Sequence, residues 1–162
     1  MEMRFYKTFM RVRDMERSKA FYAKLGFEPA VGDPRPTRAF FWIDPERTQL
    51  LVLATPTDER PWAFSHIAFE VGLERLRTMR QWLESRGITD FIADFGREPV
   101  EPIVHNWIPS ACISVHDPDG AHIEFAARLP GGPIPEERIP EGTVLPMYLS
   151  EWERLRRSVP EG

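Results

Sequence analysis

His122 and Glu124 stand two residues apart in a segment that holds them on one face, and both are side chains that do chemistry. The segment runs Ser114-Val-His-Asp-Pro-Asp-Gly-Ala-His-Ile-Glu-Phe125. Its Asp117-Pro118-Asp119-Gly120 stretch predicts a tight turn, because proline pre-sets φ and glycine tolerates the positive φ that closes it. Beyond the turn the residues alternate, so His122 and Glu124 point to one side of a strand and Ile123 and Phe125 to the other. A second alternating segment, His66-Ile-Ala-Phe-Glu-Val71, sets His66, Ala68 and Glu70 opposite Ile67, Phe69 and Val71. Imidazoles and carboxylates exchange protons near neutral pH or hold a divalent cation. Of the other candidates, His116 reads as an edge or surface residue. Cys112 has no activating neighbour in sequence and reads as a small buried hydrophobe.

The elements that must carry these groups follow from periodicity. Residues 4–12 alternate as a half-buried strand, with Thr8, Met10 and Val12 on one face and Lys7, Phe9 and Arg11 on the other. Asp14 stands at a helix start, and Gly26 closes the helix. A short strand over Phe27–Val31, a loop at Gly32-Asp-Pro-Arg-Pro36, and apolar strands over Ala39–Ile43 and Gln49–Ala54 complete a βαβββ order. The direction of Phe40, Phe41 and Trp42 stays open, because a one-residue slip reverses it. After the linker Thr55–Pro61 the order repeats: a strand at His66–Val71, a helix at Leu73–Arg86 stopped by Gly87, and strands at Ile88–Phe95, Ala111–His116 and His122–Ala127.

Lys7 and His66, and Arg11 and Glu70, lie 59 residues apart, whereas the turns at Asp44-Pro45 and Asp117-Pro118 lie 73 apart, which sets Leu51 opposite Glu124. The jump places an insertion at Gly96–Ser110. A repeat of this kind means paired modules, since one module alone leaves a sheet face uncovered. The matched Arg11 and Glu70 read as a salt bridge across the pseudo-twofold. A formal charge of -4 and a pI near 5.6 argue against a nucleic-acid partner. A single cysteine makes no intrachain disulfide and suits a reducing cytoplasm. No apolar run approaches the roughly 20 residues of a membrane span.

Val12-Arg-Asp-Met-Glu-Arg-Ser-Lys-Ala-Phe-Tyr-Ala-Lys-Leu-Gly-Phe27, His66–Val71 and Asp117–Phe125 resemble the signature segments of the vicinal oxygen chelate superfamily, over about residues 4–127. That group includes glyoxalase I, fosfomycin-resistance transferases, extradiol dioxygenases, methylmalonyl-CoA epimerase and metal-free bleomycin-binding proteins. The resemblance implies an α+β fold of two βαβββ modules, about 4–55 and 64–127, in one glyoxalase-like domain over residues 1–128. Their curled sheets form a small-molecule cup, often completed by a second subunit, so a homodimer is expected. The resemblance also implies four cup positions, which fall here on Lys7, Leu51, His66 and Glu124. Metal-dependent members fill them with His, Gln or Glu.

Lys7 offers an ammonium with no lone pair, and two readings follow. In one, Lys7 neutralises Glu124, no metal binds, and the site only holds a ligand or uses Lys7 and Glu124 as oxyanion stabiliser and base. In the other, one divalent ion (Zn, Mn, Fe or Ni) is held by His66, Glu124 and a third group such as His105, His122 or water, for lyase, isomerase, transferase or dioxygenase chemistry. Glu124 also has the plain alternative of an ion pair with Arg11 or Lys7. Phe9, Arg11, Trp42, His105, Trp107 and His122 are candidate ligand-binding residues, with the insertion as a lid or specificity loop. Residues 129–162 form a C-terminal extension: a Pro-rich strap, then a short helix opened by the capping box Ser150-Glu-Trp-Glu153, with Leu149, Trp152 and Leu155 on one stripe. Such a helix needs a surface, on its own or a partner chain.

Overall fold

The computed structural model describes residues 5–30 and 37–158. The expected loop at 32–36, the end of the expected strand at Val31 and the start of the first strand at residue 4 lie outside the described residues. Contacts divide the chain into two units: Met1–Ser65 with Asp117–Ala121, and His66–His116 with His122–Gly162. Among the described residues, no helix is long and apolar enough to cross a membrane.

The first unit has the βαβββ order: β1 (Lys7–Arg11), α1 (Met15–Lys24), β2 (Glu28–Pro29), β3 (Arg38–Trp42) and β4 (Leu50–Ala54). Its sheet runs β1-β4-β3-β2, with β1 and β4 parallel and the other pairs antiparallel. Asp14 caps α1 by accepting from the Arg17 N–H, and Gly26, at φ +85°, takes the chain out of the helix as only glycine does without strain. Tyr22 of α1 packs 6.4 Å from Phe41, and its hydroxyl oxygen lies 3.4 Å from Met10 Sδ, so Met10, Phe41 and its register partner Leu51 share the helix-facing core. Period-2 alternation then sends Lys7, Phe9, Arg11, Phe40 and Trp42 to the opposite face.

Leu51 therefore does not face the way Glu124 does. The Asp44 turn reaches β4 at Leu50, whereas the Asp117 turn reaches its strand at His122, one residue sooner. The offset of 73 becomes 72 past the turn, and the residue that matches Glu124 is Val52. One residue of turn length inverted the face.

The second unit contains β5 (His66–Glu70), α2 (Leu73–Arg77), α3 (Met79–Glu84), β6 (Ile103–His105), β7 (Ser110–His116), β8 (His122–Arg128), β9 (Met147–Tyr148) and α4 (Leu149–Ser158). Its sheet order is β5-β8-β7-β6-β9, with β5 and β8 parallel. The single helix expected over Leu73–Arg86 is two. At Thr78 the backbone leaves the helical region (φ -103°, ψ 2°), and the threonine hydroxyl donates to the Arg75 carbonyl, a local bond that competes with the ladder. Leu76, Met79 and Leu83 are still buried together.

No strand forms over Ile88–Phe95, which meets β7 at the isolated bridge Phe91↔Val115 and through the Asp90–His116 and Asp94–Cys112 contacts, and then turns at Phe95 (φ 46°) and Gly96 (φ 78°). The strand in that place is β6, inside the stretch expected to be a loop. Its Ile103 and Val104 are nearly inaccessible, so burial outweighed the flanking prolines.

The C-terminal extension packs on this same unit. β9 adds to the edge of β6, Asn106 brackets the Ile134 backbone by donating to its carbonyl and accepting from its N–H, and Leu149 and Trp152 are buried. α4 starts at Leu149, so Ser150 lies in its first turn and is not its cap. The Glu151 carboxylate accepts the Tyr148 N–H, and Glu101 accepts both the Ser150 N–H and its hydroxyl. Carboxylates thus take the Tyr148 and Ser150 N–H groups at the helix start, and the Pro102 carbonyl takes that of Leu149.

Candidate metal centre

β5 and β8 are parallel neighbours in the register His66↔His122 and Ala68↔Glu124, which brings three polar side chains to one place on one face. His66 Nε2 lies 2.9 Å from Glu124 Oε2, and the His66 and His122 rings stack at 3.9 Å between centroids with 6° between planes. Ligand atoms of His66, His122 and Glu124 all lie within 4.8 Å of one another. Glu124 is 14% exposed and His66 46%, so the group is open on the His66 side.

His122 is the informative member. Its Nε2 is buried and has no hydrogen-bond partner. Burial, followed by the neighbouring His66, holds its pKa below the ordinary 6.5 against the opposing pull of Glu124 and Asp94. A neutral imidazole with a buried unsatisfied nitrogen beside a second imidazole and a carboxylate fits a divalent cation.

The other candidates are distributed as follows. Lys7 lies on the exposed face of β1 with its Nζ 5.6 Å from the Tyr6 ring centroid and 5.8 Å from that of Phe9. Arg11 lines a 240 Å³ cleft with Thr37, Arg38, Thr57 and Arg60, and Trp42 is half-buried on the same face of the first sheet. Glu70, expected to pair with Arg11, is paired at 2.9 Å with Arg128 on the neighbouring strand β8. His116 is half-buried and 3.3 Å from Asp90. His105 stacks on Trp107 at 4.9 Å and pairs with Asp94, with Cys112 3.9 Å away. Asp94 was missed in the sequence, because it sits in a segment expected to be a strand. The adjacent Phe95-Gly96 pair was the available turn signal.

Residues 4–125 match the family model of the Glyoxalase/Bleomycin resistance protein/Dioxygenase superfamily. No curated protein matches the sequence. Among solved structures, an integron cassette protein from the mobile metagenome of a Halifax Harbour sewage outfall is 26% identical, over 76% of this chain and 97% of that one, with a TM-score of 0.62. A glyoxalase/bleomycin resistance protein/dioxygenase from Nocardioides is 23% identical, over 84% of this chain and 90% of its own, also at 0.62. Lactoylglutathione lyase from Agrobacterium tumefaciens is 19% identical, over 78% and 94%, at 0.59. At such identities the last two show a shared fold. With two βαβββ units and a family match across both, the chain belongs to the glyoxalase/bleomycin resistance protein/dioxygenase superfamily.

Proposed function

We propose that this chain is a metal-dependent enzyme that holds one divalent cation on His66, His122 and Glu124 and acts on a small, oxygen-rich substrate. The observation that carries the reading is the buried, unpartnered Nε2 of His122 within a three-ligand set made by one unit. That set needs nothing from Lys7, whose ammonium rests on Tyr6 and Phe9. Two imidazoles and one carboxylate are the donor set of non-haem ferrous oxygenases, which ranks dioxygenase chemistry ahead of lyase, isomerase or transferase chemistry. A cation held by these three residues would supply Lewis-acid polarisation of substrate oxygens. The residues have separate tasks. Burial keeps the His122 lone pair free at neutral pH. Glu124 supplies negative charge from a sheltered position, and the more exposed His66 lies on the open side.

Chelator-stripped protein titrated with Mn²⁺ or Fe²⁺ by calorimetry tests this. Both are ions that carboxylate and imidazole accept more readily than thiolate does. One site is expected, weakened more than about 100-fold in H122A and in E124A, since even partners outside the ligand shell cost about 10–100-fold. An affinity unmoved by H122A would sink the proposal. Catechols, methylglyoxal with glutathione, and fosfomycin then form the first substrate panel.

A further inference from the structure

We propose that Asp94, His105 and Cys112 form a second metal site, separate from the first, for a soft divalent cation such as zinc. The ligand atoms converge: His105 Nε2 contacts Asp94 Oδ2, and Cys112 Sγ lies 3.8 Å from that oxygen and 3.9 Å from that nitrogen. In a tetrahedral zinc shell, bonds of about 2.0–2.3 Å set sulfur roughly 3.5 Å from its nitrogen and oxygen neighbours. Both sulfur separations already approach that value, and the ion would replace the direct His105–Asp94 contact.

The alternative of a thiol nucleophile with a base and an orienting carboxylate fails on geometry. Such a relay places thiol and carboxylate on opposite nitrogens of the imidazole. Here both approach Nε2, which is the arrangement of a shared coordination point.

The surroundings suit an ion with an open position. Side-chain exposure is 17% for His105 and 19% for Asp94, with Cys112 buried beneath. Trp107 stacked on the His105 ring and Phe95 at its edge, 6.0 Å away, fix the imidazole plane. Arg97, the nearby cation in sequence, turns to Glu151 at 2.7 Å and covers the Tyr148 ring at 3.8 Å. Three protein ligands, one of them a thiolate, select zinc over manganese or magnesium and leave a fourth place for water or a ligand. Binding forms one metal–sulfur bond and releases the thiol proton to solvent, with no change of oxidation state.

Cobalt is the probe, since Co²⁺ substitutes at zinc sites and a thiolate ligand gives a near-ultraviolet sulfur-to-cobalt charge-transfer band. Chelator-stripped full-length protein titrated with Co²⁺ should develop that band and saturate at one equivalent per thiol. The band should vanish in C112A and weaken more than about tenfold in apparent affinity in D94N and H105Q. It should persist in H122A, which breaks only the first site, and excess Zn²⁺ should displace it. Circular dichroism of each variant confirms folding. The proposal is overturned if wild-type protein gives no sulfur band, or if the band survives unweakened in H105Q and D94N.

Discussion

At the scale of single residues, the second unit turns on His122. In sequence it is one of two polar residues on a strand face. In three dimensions it is a half-buried imidazole whose buried Nε2 is unused, stacked on another imidazole. Its lowered pKa has a consequence for stability. Between the folded value and the ordinary 6.5, the unfolded chain binds a proton at His122 and the folded chain does not. Stability contributed by the neutral state is therefore complete above about pH 6.5 and is lost as pH falls toward the folded pKa. Metal-free protein should show a urea midpoint that declines from pH 7.5 to pH 5, with a shallower slope in H122N. An identical slope in the two proteins would show that His122 is not held neutral. With metal present the decline steepens, because protons and the cation compete for the same lone pair.

At the scale of elements, the two Asp-Pro turns do different jobs. The Asp44 turn is local: its carboxylate accepts from the Thr48 N–H and hydroxyl and the Gln49 N–H, which holds its pKa below the usual carboxylate range. The Asp117 turn is packed into the first unit. Asp117 accepts from the Asp119 and Ala121 N–H groups and from the buried Tyr22 hydroxyl at 3.0 Å, and burial, followed by the Asp117 carboxylate, raises the Tyr22 pKa. Asp119, 7% exposed, accepts from the Arg13 N–H at 2.9 Å, Arg17 Nη2 at 2.6 Å and Ser18 Oγ at 3.4 Å. D119A strands a backbone donor and a buried hydroxyl and should cost about 2 kcal/mol. The half-exposed Arg17 pair adds little to that sum. Chemical denaturation reads the cost directly, and a loss under about 0.5 kcal/mol would remove this turn from the stabilising network. The conspicuous acidic turn is thus architecture, while the proposed ligands His122 and Glu124 sit on the strand that follows it.

At the scale of the whole molecule, the C-terminal extension is part of the second sheet. β9 covers the edge of β6, the strand that carries His105, and α4 buries Trp152 at 3% exposure. Edge coverage removes unpaired backbone groups that would otherwise face solvent. A chain ending at residue 129 loses Ile134, Met147, Leu149 and Trp152 from the core. The Trp152 share alone is about 3 kcal/mol or more, a fall in Tm of roughly 6–12 °C at this size. The same truncation should lower cobalt affinity at the Cys112 site while leaving Mn²⁺ affinity at His66, His122 and Glu124 within a few-fold. A truncated chain with unchanged Tm would place the extension outside the folded core.

Periodicity and punctuation made most of the architecture legible. The repeated βαβββ order, the Asp14 cap, the Gly26 stop and the polar faces of β5 and β8 are local consequences of residue type, and local rules recover them. Periodicity could not reveal the break at Thr78, where one hydroxyl-to-carbonyl bond competes with the ladder, or the turn at Phe95 and Gly96 that ends the stretch from Ile88, and β6 within a proline-containing stretch was decided by the burial of Ile103 and Val104 against distant segments. Leu51 was misplaced by one residue of turn length, an error that the period of two converts into the wrong face. The site divides in the same way. His66, His122 and Glu124 were visible as polar residues on strand faces, but only the parallel register of β5 and β8 shows that they meet. Asp94, His105 and Cys112 come from a turn and from the two neighbouring strands β6 and β7. Sheet pairing brings these three together, and no spacing along the chain records it.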